Sequence, residues 1–253
     1  YDAVLITIGA STDKKLGLEG EDAEGVMSAV QFLRNIGKNI ITDLAGKEVA
    51  VIGGGNVSMD AVRTAKRLGA KKVSIVYRRR MADMTALPGE INGAVAEGIE
   101  LQTLKAPAAI DVDENNHVKG IYVTPQMVST IKNGRASVRP TGEDDIYIPC
   151  DVLVVAIGQN IETAHFEAAG IPVSRGKILT TSTGAVEDMP DVYAGGDCSS
   201  GPATVIKAIA AAKVVAANID EYLGFHHEIS CDVEIPEAKL EDKIPCGRID
   251  LTE

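Results

Sequence analysis

The sequence reads as an α/β chain with a parallel sheet, on three observations. Glu48–Asp60, EVAVIGGGNVSMD, sets an apolar run before three glycines and a helical pattern after them. A second apolar run, KVSIVY at Lys72–Tyr77, follows that helix. Two further runs end alike, at Ile8-Gly9 and Ile157-Gly158, one on each side of the unit. Strand, helix and strand at this length make a βαβ unit, whose right-handed crossover sets the second strand parallel to the first.

The glycine stretch carries the chemistry. Val49–Ile52 predicts a short buried strand, Gly53–Gly55 a tight turn, and Asn56-Val57-Ser58-Met59-Asp60 the opening of a helix to about Leu68. Glycine lets the backbone turn sharply and lets a phosphate approach where a Cβ would block it. The free N–H groups and positive dipole end of the helix then face the anion. The pattern is G-x-G-x-x-S, with Gly53, Gly55 and Ser58, and a small third residue still allows close helix–strand packing. Glycine-rich turns are common, so the flanking strand and helix give the match its weight. Gly53, Gly54, Gly55, Asn56, Val57 and Ser58 are the candidate dinucleotide-binding residues. Val57, Ala61, Ala65 and Leu68 are expected on one apolar helix face, and Gly69 as the C-cap.

The second strand ends Tyr77-Arg78-Arg79-Arg80, with no acidic residue in the window. An acid there would take the ribose 2′-OH of NAD; arginine there pairs the 2′-phosphate of NADP. Its planar fork donates two parallel bonds to such a group. Three arginines at a strand end can also form a solvated rim. In a chain of formal net charge −11 the phosphate reading is preferred, hence NADP over NAD.

The remaining elements follow in order. Tyr1–Gly9 predicts a core strand, and Gly25–Ile36 a helix crossing between domains. Pro88-Gly89 is expected to break the chain before a short helix at Glu90–Glu97, and Glu90 reads as a surface residue of it. Ile99–Leu104 is a strand. Ala108–Val112, Val118–Thr124 and Ala136–Val138 are short antiparallel strands joined at Glu114-Asn115-Asn116 and Asn133-Gly134, a meander read as structural. Cys150–Ile157 is a buried strand, Lys177–Leu179 and Asp191–Ala194 short ones, the last ending Gly195-Gly196-Asp197. Gly201-Pro202 precedes a long helix, Ala203–Leu223, with Pro202 in its first turn. His226–Glu253 reads as a tail or linker with surface histidines.

Composition excludes several classes. Of 253 residues 45% are hydrophobic, enough for one large or two small cores. The negative charge disfavours nucleic acid and anionic membranes as partners. With no Trp and 4% aromatics, a base-stacking surface is not expected. No apolar run reaches the roughly 18 residues that span a bilayer. Cys150, Cys198, Cys231 and Cys246 form no C-x-x-C, so neither a redox pair nor a standard zinc site is written. Their sparseness and the lack of a secretory signal fit a reducing cytoplasm. The chain opens within a strand and without Met, which suggests a piece of a longer polypeptide.

Five stretches together resemble the two-dinucleotide-binding-domain flavoprotein reductases, above all the small (β) subunit of NADPH-dependent glutamate synthase and its relatives. They are Tyr1–Ala10, Val51–Ala70, Val76–Arg80, Val154–Gln159 and Asp191–Ile219. The resemblance implies a Rossmann-like NAD(P)-binding domain, parallel sheet plus antiparallel meander, inserted in a partial FAD-binding α/β domain. Its expected bounds are 28–157, flanked by FAD-domain segments 1–27 and 158–224, with 225–253 as tail. It implies NADP and FAD as cofactors, with Arg78 and Arg79 on the 2′-phosphate. Gly158, Gly196 and Asp197 would lie on the FAD side, with Ala203, Thr204 and Val205 near the isoalloxazine. Asp197 read without the resemblance is a turn or N-cap aspartate. The family's N-terminal FAD motif and iron–sulfur cysteines are absent from this sequence.

The activity implied is transfer of hydride from NADPH to FAD, with electrons passing onward to an iron–sulfur centre or an amidotransferase-type partner subunit or fused domain. No general acid or base is named, since the chemistry belongs to the cofactors. A transhydrogenase or ferredoxin:NADP reductase subunit on the same architecture is the first alternative. A non-catalytic dinucleotide-binding redox sensor or scaffold is the second.

Overall fold

The structure is a computed structural model that describes residues 1–228; the expected tail lies mostly outside them, as do Cys231 and Cys246. Strand β1 (Val4–Ile6) and the short β2 (Thr12–Asp13) come first. Strand β3 (Val26–Ser28) leads into helix α1 (Ala29–Gly37). Then follow β4 (Glu48–Ile52), α2 (Asn56–Arg67), β5 (Lys72–Tyr77), a 3-10 turn at Met81–Asp83, α3 (Pro88–Ala96) and β6 (Glu100–Thr103). The meander is β7 (Lys105–Val112), β8 (Val118–Lys132), β9 (Arg135–Pro140) and β10 (Ile146–Pro149). Strand β11 (Val152–Val155) returns to the first sheet. After it come β12 (Gln159–Asn160), α4 (Ala164–Ala168), β13 (Val173–Ser174), β14 (Lys177–Ile178), β15 (Ala185–Val186), β16 (Met189–Ala194), α5 (Asp197–Ser200) and α6 (Val205–Tyr222).

Five strands form one parallel sheet in the order β3-β11-β4-β5-β6. Its three inner strands, β11, β4 and β5, are largely apolar and buried because both faces are covered, whereas the edge strand β6 is polar. Side chains alternate across the pleat. Val49 and Val51 face the helices and pack with Phe32, Met59, Val62 and Ala94. Ala50, Ile52 and Val76 face the meander and pack with Ile110, Ile121, Val123 and Ile148. The βαβ reading holds: β4 and β5 run side by side in parallel, from Glu48↔Lys72 to Ile52↔Val76.

A second sheet, β1-β16-β15, carries its own small core of Ile6, Ile178, Val186, Ala194 and Cys198. The antiparallel pair β2–β12 ties Thr12 and Asp13 to Asn160 and Gln159, where the chain passes between the two sheets.

Several boundaries differ from expectation. Residues 26–28 are a strand at the sheet edge rather than helix; α1 begins only after Ser28, whose hydroxyl caps it by accepting from the Gln31 amide at 3.1 Å. Pro88 does not break the chain but starts α3, where its missing N–H costs nothing. Strand β8 runs to Lys132 and pairs β9 through a turn with Asn133 at φ 49° and Gly134 at φ 77°, the geometry that closes two-residue hairpins. Pro202 lies outside α6, which Thr204 caps through its hydroxyl at 3.4 Å from the Lys207 amide. The turn after Gly195-Gly196 is a separate short helix, α5. Among the described residues no helix is long and apolar enough to cross a membrane. His226 and His227 are exposed and pair with Glu221 and Asp220.

Candidate functional site

At the end of β4 the backbone leaves the sheet at Gly53, with φ 147°. A Cβ there would lie 2.3 Å from the Ala156 carbonyl oxygen and 2.5 Å from Ser58 Oγ. At Gly54 it would lie 2.7 Å from the Tyr77 ring. Helix α2 can therefore start close against β5 and β11. Its N-terminus has Gly55 as N-cap and no side-chain cap, so the first amides keep their donors for an outside acceptor.

The six candidates of the turn divide by place. Gly53, Gly54, Gly55, Asn56 and Val57 line a cleft of about 720 Å³. Val57 is exposed there, not on the buried face expected of it; Ser58, Met59, Ala61, Val62 and Ala65 form that face. Ser58 is fully buried behind the glycines, and its Oγ has no hydrogen-bond partner among the described residues. The Asn56 side chain accepts from the Leu87 amide at 2.9 Å, and the Gly54 carbonyl accepts from the amides of Thr85 and Ala86. The loop before α3 is thus laced to the glycine turn and walls the cleft with Thr85.

Arg78 and Arg79 also line this cleft. Arg80 does not: its guanidinium is held by the Asp83 carboxylate at 2.8 and 2.9 Å. Asp83 has a fully buried side chain that accepts again from the Ala136 amide at 2.9 Å. The Arg80 guanidinium, then that amide, hold its carboxyl far below the usual carboxylate range. Arg79 Nε donates to the Ala136 carbonyl at 3.0 Å, and the rest of its fork makes no hydrogen bond among the described residues. Tyr77 donates its hydroxyl to the Asp83 carbonyl at 2.7 Å and so closes the same knot.

The sequence did not point to Arg135, from the start of β9, as a wall of this cleft. It sits 57 residues or so along the chain from the arginine run, the separation of Arg79 and Ala136, in a meander read as structural. Asp13, Gln159 and Pro202 line the cleft as well.

Gly158 closes the cleft on the β11 side, and Ala203 completes it. Ala203 also lines a second cleft, of about 300 Å³, with Thr7, Gly9, Gly195, Gly196, Asp197, Thr204 and Val205. The two clefts meet at this residue. Asp197 accepts from the Ala203 amide at 3.1 Å, so its carboxylate fixes the segment before α6. Glycines at both strand ends and the capped start of α6 leave room at backbone level for a polar group. Gly158 is the one residue expected on the Asp197 side that lines the first cleft instead.

Neither described cysteine forms a disulfide. Cys198, beside Asp197, is buried and donates to the carbonyls of Ile6 and Gly195 at 3.4 and 3.2 Å; burial pushes its thiol up. Burial raises Cys150 to about 12. Both are packed, protonated thiols rather than nucleophiles.

Comparison with known proteins matches residues 1–212 to the pyridine nucleotide-disulphide oxidoreductase family. The chain is 37% identical over 226 residues to the NADP(+)-dependent formate dehydrogenase subunit beta of Moorella thermoacetica, covering 88% of this chain and 32% of the relative. It is 32% identical over 240 residues to the glutamate synthase [NADPH] small chain of Escherichia coli, covering 88% and 51%. The chain therefore spans about a third to a half of these relatives. Among solved structures, Mycobacterium tuberculosis FprA in complex with NADPH superposes with a TM-score of 0.70 at 22% identity, over 88% of this chain and 64% of that one. Lactococcus lactis thioredoxin reductase superposes with a TM-score of 0.66 at 19% identity, over 87% and 66%. These two likenesses concern the fold.

Proposed function

Because this chain belongs to the pyridine nucleotide-disulphide oxidoreductase family, we propose that it is the nucleotide-handling part of an NADPH-dependent flavoprotein reductase of the glutamate-synthase small-subunit type. In this reading residues 28–157 hold NADPH, and 1–27 with 158–224 contribute to an FAD domain. One observation carries the proposal: an arginine-walled cleft beside an uncapped helix start shares Ala203 with a second cleft at Asp197.

The uncapped amides of α2 bind the pyrophosphate, where the glycines admit it. Arg78 and Arg79 bind the 2′-phosphate as forked donors. The knot of Asp83, Tyr77 and Ala136 holds Arg79 in place, so little side-chain freedom is lost on binding. Asp197 orients the segment that ends in Thr204. The start of α6 then turns its positive end to the Asp197 cleft, where it favours negative charge. When bound, nicotinamide and flavin supply the hydride chemistry; the chain supplies position and field. Onward delivery of electrons falls to an iron–sulfur centre or amidotransferase-type partner, as the relatives named as β subunits and small chains support. A reducing cytoplasm remains the expected setting.

The test uses the full-length polypeptide, reduced anaerobically with NADPH or NADH while flavin absorbance is followed. Bleaching by NADPH is expected, and none with either nucleotide would overturn the enzyme reading. Combined Arg78→Ala and Arg79→Ala is expected to weaken NADPH at least about tenfold, with NADH little changed. Equal loss for both nucleotides would remove the 2′-phosphate role.

A further inference from the structure

We propose that Arg135 is a third guanidinium for the 2′-phosphate, a specificity-determining residue supplied by the β8–β9 hairpin. The proposal rests on the NADPH reading above and adds a residue that the strand-end arginine run does not contain.

Three observations lead to it. Arg135 lines the same cleft as Arg78 and Arg79 and is exposed there. Its neighbour Ala136 is bound in both directions to the arginine segment: its amide donates to Asp83 and its carbonyl accepts from Arg79 Nε. The hairpin is thus fixed against the end of β5 at the residue next to Arg135. Third, Arg80 is withdrawn, its fork spent on Asp83.

The chemistry has a place for another donor. A phosphate monoester carries a charge of about −1.5 to −2 and three strong acceptor oxygens. Two arginines, one with its Nε committed to a carbonyl, leave acceptor capacity open. The turn Asn133-Gly134 places Arg135 at the first position of β9, beside the anchored Ala136. Its side chain lines the cleft that Arg78 and Arg79 also line. Arg80 thereby serves the frame through Asp83, and the meander returns a cation in its stead.

The experiment measures calorimetric affinities of the full-length protein for 2′,5′-ADP and 5′-AMP, which differ in the phosphate at issue. The wild type is expected to prefer 2′,5′-ADP. Arg135→Ala is expected to lose about tenfold on 2′,5′-ADP and to hold 5′-AMP within about twofold. Arg135→Lys, which keeps the charge but not the fork, is expected to fall between. An unchanged thermal midpoint shows that Arg135→Ala has not disturbed the fold. A wild type without preference for 2′,5′-ADP overturns the 2′-phosphate reading, and this proposal with it. A wild-type preference that Arg78→Ala abolishes and Arg135→Ala leaves intact overturns Arg135 alone, as does an equal loss on both ligands.

Discussion

The parallel sheet and the β1-β16-β15 sheet differ in what covers them. The first is closed on both faces, with Phe32, Met59, Ile75 and Leu153 fully buried. The second packs its small core on one side. On the other, Leu5 is 48% exposed, and α6 buries a single residue, Val215, while Ile206 stands 79% exposed. The glycine turn at the end of the covered sheet is closely enclosed, by the Ala156 carbonyl, the Ser58 hydroxyl and the Tyr77 ring. The open one borders the smaller cleft, between the ends of β1 and β16 and the helix α6. An apolar run in the sequence specifies a strand, but not what packs on its outer face.

The largest effect expected from this contrast lies at two glycines, one at a strand end of each sheet. Gly53→Ala drives a Cβ to 2.3 Å from the Ala156 carbonyl, a backbone atom that cannot swing aside. The substitution is expected to cost about 3–5 kcal/mol in denaturant unfolding. Gly9→Ala meets nothing within 4 Å, and its φ of 65° costs about 1–2 kcal/mol. Equal costs at the two sites would mean that the glycine turn is less tightly enclosed than the structure has it.

Much of the covered half is legible in the sequence. The G-x-G-x-x-S turn, the paired strands and the arginine run lie within one continuous stretch, and period and spacing reveal them. Three residues at 26–28 are too few to show a period, so the edge strand is hidden before a helical pattern. Val57 follows the apolar spacing of α2 but sits in its first turn, where the helix faces the cleft. Thr204 outcompetes Pro202 as the start of α6 because its hydroxyl satisfies an orphan amide. Arg135 and Asp83 are invisible for a different reason. Their roles depend on Ala136 meeting Arg79 across 57 residues, and no local pattern records that meeting.

A smaller effect is expected at Asp83, which has no counterpart in the open half among the described residues. Its carboxyl is held low by Arg80 and the Ala136 amide. A lowered folded-state pKa gives stability that is present above the unfolded value, about 3.9, and lost as pH falls toward the folded one. The wild-type thermal midpoint is therefore expected to drop below about pH 4, with part of that drop due to Asp83. Asp83→Asn removes that part and lowers the midpoint by several degrees at neutral pH. A variant with the wild-type midpoint and acid profile would show that the knot does not hold the hairpin.

The smallest effect is expected on the outer face of α6. Ile206→Ser removes an apolar side chain that water already reaches, so the unfolding free energy of the 253-residue chain is expected to change by less than about 0.5 kcal/mol. Surface change at an apolar position is tolerated when no cavity opens and no burial is lost. A cost of about 2 kcal/mol or more would mean that the face is covered in solution, and the contrast between the two sheets would then be one of partner rather than of packing. Sedimentation of the same samples separates the cases: a second copy on α6 raises the mass of the wild type and not of Ile206→Ser. A cover from within the chain leaves both at the monomer mass while the cost remains.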